Sequence, residues 1–310
     1  MKLPQFYIDD LIKRAISEDI NYIDVTTDYL VPEDSISTAR LISKDKGVVA
    51  GIEIGMRVFE LLDNSVAYSI YKPDGSAVSK GDVIAEIKGS TATLLKGERT
   101  ALNLMQHMSG IATATNRCVR LIEGTRATIA ETRKTLPGLR PLQKYAVVVG
   151  GGVNHRYNLS DAAMLKDNHI DAYGSLTKAV EALRSKVGHM VKIEVETRSL
   201  EELEEALAVG ADVIMLDNMD CPTMKKAVEI TGGRAKLEAS GNITHDNIRE
   251  VAETGVDIIS LGALTHCGFK AKRNEFAGLC PDSQAARIPG FTAHRPNHRR
   301  KTLFAGDFLK

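Results

Sequence analysis

Five short apolar runs decide the fold: Ala163-Met164-Leu165 before Lys166, Ile193-Glu194-Val195 before Glu196, Val213-Ile214-Met215-Leu216 before Asp217, Leu237-Glu238-Ala239 before Ser240-Gly241, and Ile258-Ile259-Ser260-Leu261 before Gly262. The closing residues Lys166, Glu196, Asp217, Ser240 and Gly262 are separated by 30, 21, 23 and 22 positions. Each step is about the length of one strand, one helix and two loops, the repeat of a βα unit. In a barrel of such units the C-terminal strand ends meet on one face and build the active site. The closing residues are therefore the first candidates for function.

The segments between the runs carry helix boundary signals. Ser199-Leu200-Glu201-Glu202 reads as a capping box and Gly210 as that helix's stop. Pro222 suits a first helical position, Gly232 a stop, Thr244 the cap of a helix ending at Gly255. The barrel part begins near Thr128. Upstream, residues 5–18 place Phe6, Ile8, Leu11, Ile12, Ala15 and Ile16 at helical spacing. From Thr38 to Ile87 the pattern turns to short β-rich runs separated by turn residues such as Pro73-Asp74-Gly75, with a helix predicted over Gly55–Leu62. Gly97–Leu121 reads as one long helix or two, broken near Gly110. The fold class is α/β: an N-terminal helix and α/β sandwich over 1–110, an α/β barrel catalytic domain over 111–266, and an atypical tail over 267–310. That tail holds nine Lys or Arg against three acids and reads as a surface-draped or disordered segment.

Composition narrows the function. The 310 residues carry 40 Lys+Arg and 40 Asp+Glu, so no global field advertises nucleic acid or membrane. No apolar run approaches the roughly 18 residues of a membrane span. Charges punctuate Met1–Ile20, which excludes a secretory signal there. Cys118, Cys221, Cys267 and Cys280 lack metal or redox spacing and read as thiols in a reducing compartment. The reading is a soluble cytoplasmic protein with neither nucleic acid nor membrane as partner.

An anionic ligand must then be met by local cations. Arg133 and Lys134 fall just past the apolar run Ala127–Ala130. Gly150-Gly151-Gly152 lets backbone approach a ligand or is only a flexible turn, His155-Arg156 follows with His155 by itself reading as a structural histidine, and Lys166 ends a strand. Arg99 offers another cation upstream. One such charge is ordinary solvated surface. A set of them at strand ends suits a substrate rich in carboxylate or phosphate, which arginine grips with a planar fork. Glu196 and Asp217 can hold ribose hydroxyls or Mg²⁺, and without ligand can pair with Lys166 or Lys134. Ser240-Gly241 and Gly262-Ala263 end the last two runs, where such barrels bind phosphate through backbone N–H groups.

At these residues the chain resembles the quinolinate phosphoribosyltransferase family. The matching segments are GERTALN (97–103), ETRKTLPGLR (131–140), KYAVVVGGGVNHR (144–156), DAAMLKDNHI (161–170), IEVE (193–196), GADVIMLDN (210–218), EASGN (238–242) and SLGALTH (260–266). Two departures stand out. Asp24-Val25-Thr26-Thr27 lacks the family's preceding glycine, and no strand returning to the sandwich is recognisable after His266. The resemblance implies an open (β/α) barrel of the type II phosphoribosyltransferase kind. It implies that quinolinate and phosphoribosyl pyrophosphate give nicotinate mononucleotide, pyrophosphate and CO₂, with Mg²⁺ as cofactor. It also implies a homodimer with a shared active site, leaving further assembly open. By motif, Arg133, Lys134, His155 and Arg156 would hold the quinolinate carboxylates, with Arg99 reaching in from the partner. Lys166, Glu196 and Asp217 would contact the phosphoribosyl group and metal, making Lys134, Lys166, Glu196 and Asp217 the catalytic candidates. Ser240, Gly241, Gly262 and Ala263 would take the 5′-phosphate. A paralogue acting on nicotinate or another pyridine carboxylate, and an idle ligand-binding protein, remain as alternatives.

Overall fold

The computed structural model describes residues 2–266 and the strand 291–294. In chain order the elements are α1 (Gln5–Asp19), α2 (Val25–Leu30), β1 (Ile36–Ser43), β2 (Gly47–Val48), α3 (Ile52–Leu62), β3 (Ala67–Ile70), β4 (Ala77–Val78), β5 (Val83–Ser90), α4 (Thr91–Leu121), β6 (Thr128–Ala130), α5 (Arg140–Val149) and β7 (Ala163–Leu165). They continue with α6 (Asp167–Tyr173), α7 (Leu176–Arg184), β8 (Ile193–Thr197), α8 (Leu200–Ala208), β9 (Val213–Asp217), α9 (Cys221–Thr231), β10 (Lys236–Ser240), α10 (Ile248–Ala252), β11 (Ile258–Ser260), a 3-10 turn over Gly262–Leu264, and β12 (Phe291–His294). Two compact units result: residues 3–110 with β12, and residues 111–266, the division falling inside α4.

The first unit is the α/β sandwich. Its main sheet runs β12-β1-β5-β3, all antiparallel, beside a β2-β4 pair. Asp24, in the motif that lacks its glycine, caps α2 by accepting from the N–H groups of Thr26 and Thr27. One expectation is corrected here, and one left open is settled. The returning strand exists: β12 pairs with β1 from Arg40↔His294 to Ser43↔Phe291. It was not recognisable because four residues, Phe-Thr-Ala-His, hold no apolar run, and backbone pairing to a distant edge leaves no local signature. The rest of the 267–310 tail lies outside the described residues. Second, α4 runs unbroken through Gly110. A mid-helix glycine costs about 1 kcal/mol, and burial of Met105, Met108 and Ala112, each fully enclosed, outweighs it.

The second unit holds the six-stranded parallel sheet, in order β6-β11-β10-β9-β8-β7, with Val153 bridging the free edge of β6. The five runs of the sequence are β7 to β11. Alternation sorts their side chains. Ile193, Val195, Ile214, Leu216, Leu237, Ala239 and Ile259 join the core shared with the helices. Glu194, Glu196, Met215, Asp217, Glu238, Ser240 and Ser260 have the opposite parity, toward the barrel axis. Ser199 caps α8 by accepting from Glu202 N–H, and Gly232 ends α9 in the left-handed conformation. Asn247, not Thr244, precedes α10, and Thr244 instead donates its N–H to the Asn247 side chain.

Candidate active site

The strand ends arrange two layers. At the rim, Lys166 follows β7 and its Nζ meets Glu196 Oε2 at 2.5 Å. Asp217 closes β9 and accepts from Asn218 Nδ2 at 2.9 Å. Asn218 also accepts from Asn242 Nδ2, and its N–H donates to the Ser240 carbonyl. Asn218 and Asn242 both hold positive φ, 55° and 51°, the kind of local strain that persists where surrounding bonds over-determine it. Gly241 lies between them at φ 91°, and a Cβ there would sit 2.3 Å from Asn218 Oδ1. Only glycine lets this turn close. Lys134 crosses to Gly262, where a Cβ would lie 3.1 Å from its Cδ, and its carbonyl accepts from Thr265 Oγ1. Ala263 is exposed.

Arg133 and Arg156 form the cationic heart. The Nε of each is buried without a hydrogen-bond partner. Burial, then the Arg133 charge, pulls the Arg156 pKa below its ordinary value. Arg156 Nη1 donates to the Ala162 carbonyl at 2.8 Å. Two neighbouring guanidiniums with unmet donors are costly unless an anion completes them.

Below the rim is a buried layer in which the sequence analysis names only His155 as a candidate. His155 Nε2 is 3.2 Å from Glu194 and 3.5 Å from Glu238, and its side chain is 7% exposed. The Arg156 N–H donates to its Nδ1 at 2.7 Å, which places the neutral ring's proton on Nε2. Burial disfavours its charge, but Glu194, Glu238 and Glu131 outweigh burial and raise its pKa. Burial first, then the Glu194 charge, pushes Glu238 up to about 7. Beside them Glu131 and Lys144 are in contact, both fully buried. Burial raises the one and lowers the other, each partly restoring its partner.

Among the described residues, His155, Glu194 and Glu238 are the one group whose ligand atoms, within 4.8 Å of one another, could hold a metal. A nitrogen donor in an enclosed place does not suit Mg²⁺, which favours oxygen and retains water. Glu196 and Asp217, carboxylates at adjoining strand ends, have the donor chemistry that Mg²⁺ takes.

The sequence reading placed His155 among groups that hold the substrate; its Nε2 here faces carboxylates. The triple glycine serves packing. A Cβ at Gly150 would lie 2.4 Å from the Ala112 carbonyl, and one at Gly152 3.0 Å from the Ile129 carbonyl. These glycines let α5 and its loop pack on α4 and β6. Arg99 is exposed on α4 in the sandwich unit.

A parallel sheet of βα units with Lys134, Lys166, Glu196 and Asp217 at or just beyond its strand ends has the arrangement in which barrel enzymes place their active sites. The sequence model described as "Quinolinate phosphoribosyl transferase, C-terminal domain" matches residues 111–269, and that of the N-terminal domain matches 24–109. A probable nicotinate-nucleotide pyrophosphorylase (carboxylating) of Bacillus subtilis is 47% identical over 256 residues, covering 83% of this chain and 88% of that one. The crystal structure of NadC from Streptococcus pyogenes superposes with a TM-score of 0.86 at 40% identity, covering 95% of this chain and 98% of that one. A nicotinate-nucleotide pyrophosphorylase structure from Francisella tularensis gives 0.82 at 39% identity, covering 85% and 93%. The chain belongs to the quinolinate phosphoribosyltransferase family.

Proposed function

We propose that this chain transfers the phosphoribosyl group of phosphoribosyl pyrophosphate to quinolinate with loss of CO₂, forming nicotinate mononucleotide for NAD biosynthesis. The observation that carries the reading is the pair Arg133 and Arg156, adjacent, buried at Nε and unpartnered there. One carboxylate leaves that pair half satisfied. Two neighbouring carboxylates on a ring complete it.

The chemistry asks little nucleophile activation of the protein. The pyridine nitrogen attacks the ribose C1, the C1–O bond to pyrophosphate breaks, and its electron pair leaves with pyrophosphate. The ring nitrogen, now cationic, accepts the electrons of the breaking C–CO₂ bond, and a proton replaces the lost carboxylate. Arg133, Lys134 and Arg156 orient the dianion against a second polyanion, which is a positioning effect. His155, through its own neighbours, sets the Arg156 backbone. Lys166, Glu196 and Asp217 face the phosphoribosyl group, where fixed carboxylates favour the oxocarbenium-like centre. Backbone at Ser240, Gly241, Gly262 and Ala263 receives the 5′-phosphate. Mg²⁺ held by Glu196 and Asp217 would offset charge on departing pyrophosphate.

The exposed Arg99 is read as a contribution to the site of a second copy, in a cytoplasmic homodimer. Among the described residues no helix is long and apolar enough to cross a membrane. Turnover of quinolinate and nicotinate, compared under the same conditions with phosphoribosyl pyrophosphate and Mg²⁺, tests the proposal. Quinolinate alone is expected to react, and faster turnover of nicotinate would assign the site to a monocarboxylate instead.

A further inference from the structure

Two backbone atoms of one residue carry this inference. The His155 N–H donates to Glu131 Oε1 at 2.9 Å, and the His155 carbonyl accepts from Lys144 Nζ at 2.8 Å. Glu131 and Lys144 in turn pair with each other, and both side chains are 0% exposed. Glu131 directly follows β6, and Lys144 lies on α5. The pair therefore grips His155 from a strand end and from a helix at once.

A buried ion pair is poor evidence of a stabilising role. Desolvating two charges costs several kcal/mol, and hydrocarbon of the same volume often serves stability as well or better. This pair is placed to do something else. Arg133 is two residues beyond Glu131, and Arg156 is one residue beyond His155. The same contact thus spans the backbones that carry both guanidiniums. The Arg156 N–H is further tied to the His155 ring. A shift of the His155 backbone changes the spacing of the two arginines, and that spacing has to match two carboxylates on adjacent ring carbons.

We propose that the Glu131–Lys144 pair is a positioning device for the dicarboxylate pocket, setting the His155 backbone and through it the separation of Arg133 and Arg156. It rests on the proposed function. Both side chains are shut off from solvent and act through His155, so both are positioning residues. Their effect falls on recognition of the dicarboxylate, while binding of phosphoribosyl pyrophosphate is left alone.

The test is the double variant Glu131→Met/Lys144→Met, which removes both charges and both grips at nearly constant volume. Readouts are the urea midpoint, the separate KM values, and the Kd for phthalate, a ring with two adjacent carboxylates and no reacting nitrogen. The expected result is an unchanged or higher midpoint, an unchanged KM for phosphoribosyl pyrophosphate, and a KM for quinolinate and Kd for phthalate raised on the order of 10- to 100-fold, as for displacement of a positioned group. Glu131→Gln still accepts from both His155 N–H and Lys144, so it is expected to bind phthalate within about threefold of wild type, hydrogen-bond geometry and not net charge being what it keeps. A folded double variant with unchanged dicarboxylate affinity would overturn the proposal. So would a double variant that does not fold, which assigns the pair to stability, or a Glu131→Gln loss as large as the double variant's. Wild-type protein that binds neither phthalate nor quinolinate would contradict the proposed function itself, a result separate from these.

Discussion

Two layers of one barrel, two residues apart on the same strands, meet opposite fates. Glu196 and Ser240 stand at the rim, partly exposed, and Glu196 takes Lys166 as its partner. Glu194 and Glu238 share their strands and parity but are buried and meet His155. One pleat repeat inward, some 6–7 Å, is enough to exchange water for other side chains. Side-chain direction and depth are thus separate variables. Direction admits a residue to the barrel axis, and depth decides whether it meets solvent or only its neighbours. Rim changes should therefore damage turnover while sparing the fold, and floor changes should register in stability or in substrate placement.

The sharpest contrast comes from the arginines. Arg133→Ala and Arg156→Ala should each lower kcat/KM for quinolinate by roughly 2–5 kcal/mol, the loss expected when one partner of a desolvated charge pair is removed. Arg156→Lys should not restore it, because an ammonium lacks the planar fork. Steady-state kinetics check both, and near wild-type values for either alanine variant would remove that arginine from the pocket. The next effect separates the units. Arg99→Ala should abolish turnover to a similar degree, and mixing it with Lys166→Ala protein should return part of the activity if subunits exchange and share sites. Near wild-type kinetics for Arg99→Ala would end the shared-site reading.

Smaller effects probe the scaffold. Gly150→Ala should cost about 1–3 kcal/mol, since the new Cβ meets backbone and not a flexible side chain. A urea melt measures it, and an unchanged midpoint would show that the α4–α5 contact yields. The smallest expected shift is Glu238→Gln. The folded protein holds the Glu238 proton up to about pH 7, well above an ordinary glutamate. Stability from this group is thus present at low pH and falls as pH rises from the ordinary carboxylate range through 7. The variant should melt above wild type at pH 8, and the two should converge near pH 5. A variant that melts lower at pH 8 would mean that Glu238 is a needed charge.

Much of this was legible in the sequence, and the exceptions have physical causes. The five strands could be read because a repeating βα unit leaves both spacing and caps. The rim could be read because strand ends follow from strands. The carboxylates of the floor were missed although a signal existed: Glu194 and Glu238 lie two residues before Glu196 and Ser240, so pleat parity alone puts them on the same side. Reading them as parts of apolar runs hid them. Lys144 gave less warning, because a lysine ahead of Tyr145-Ala146-Val147-Val148-Val149 reads as a helix-surface charge until its partner Glu131, 13 residues earlier, is placed. The triple glycine shows the converse, since close approach of backbone served helix packing.

Coupling of decarboxylation to phosphoribosyl transfer can be measured by giving wild-type protein quinolinate labelled in the carboxylate next to the ring nitrogen, with and without phosphoribosyl pyrophosphate, and counting labelled CO₂ against pyrophosphate. Label should be released only when phosphoribosyl pyrophosphate is present, in an amount equal to the pyrophosphate formed. Release without it, or pyrophosphate without release, would mean that the chain does not couple the two steps.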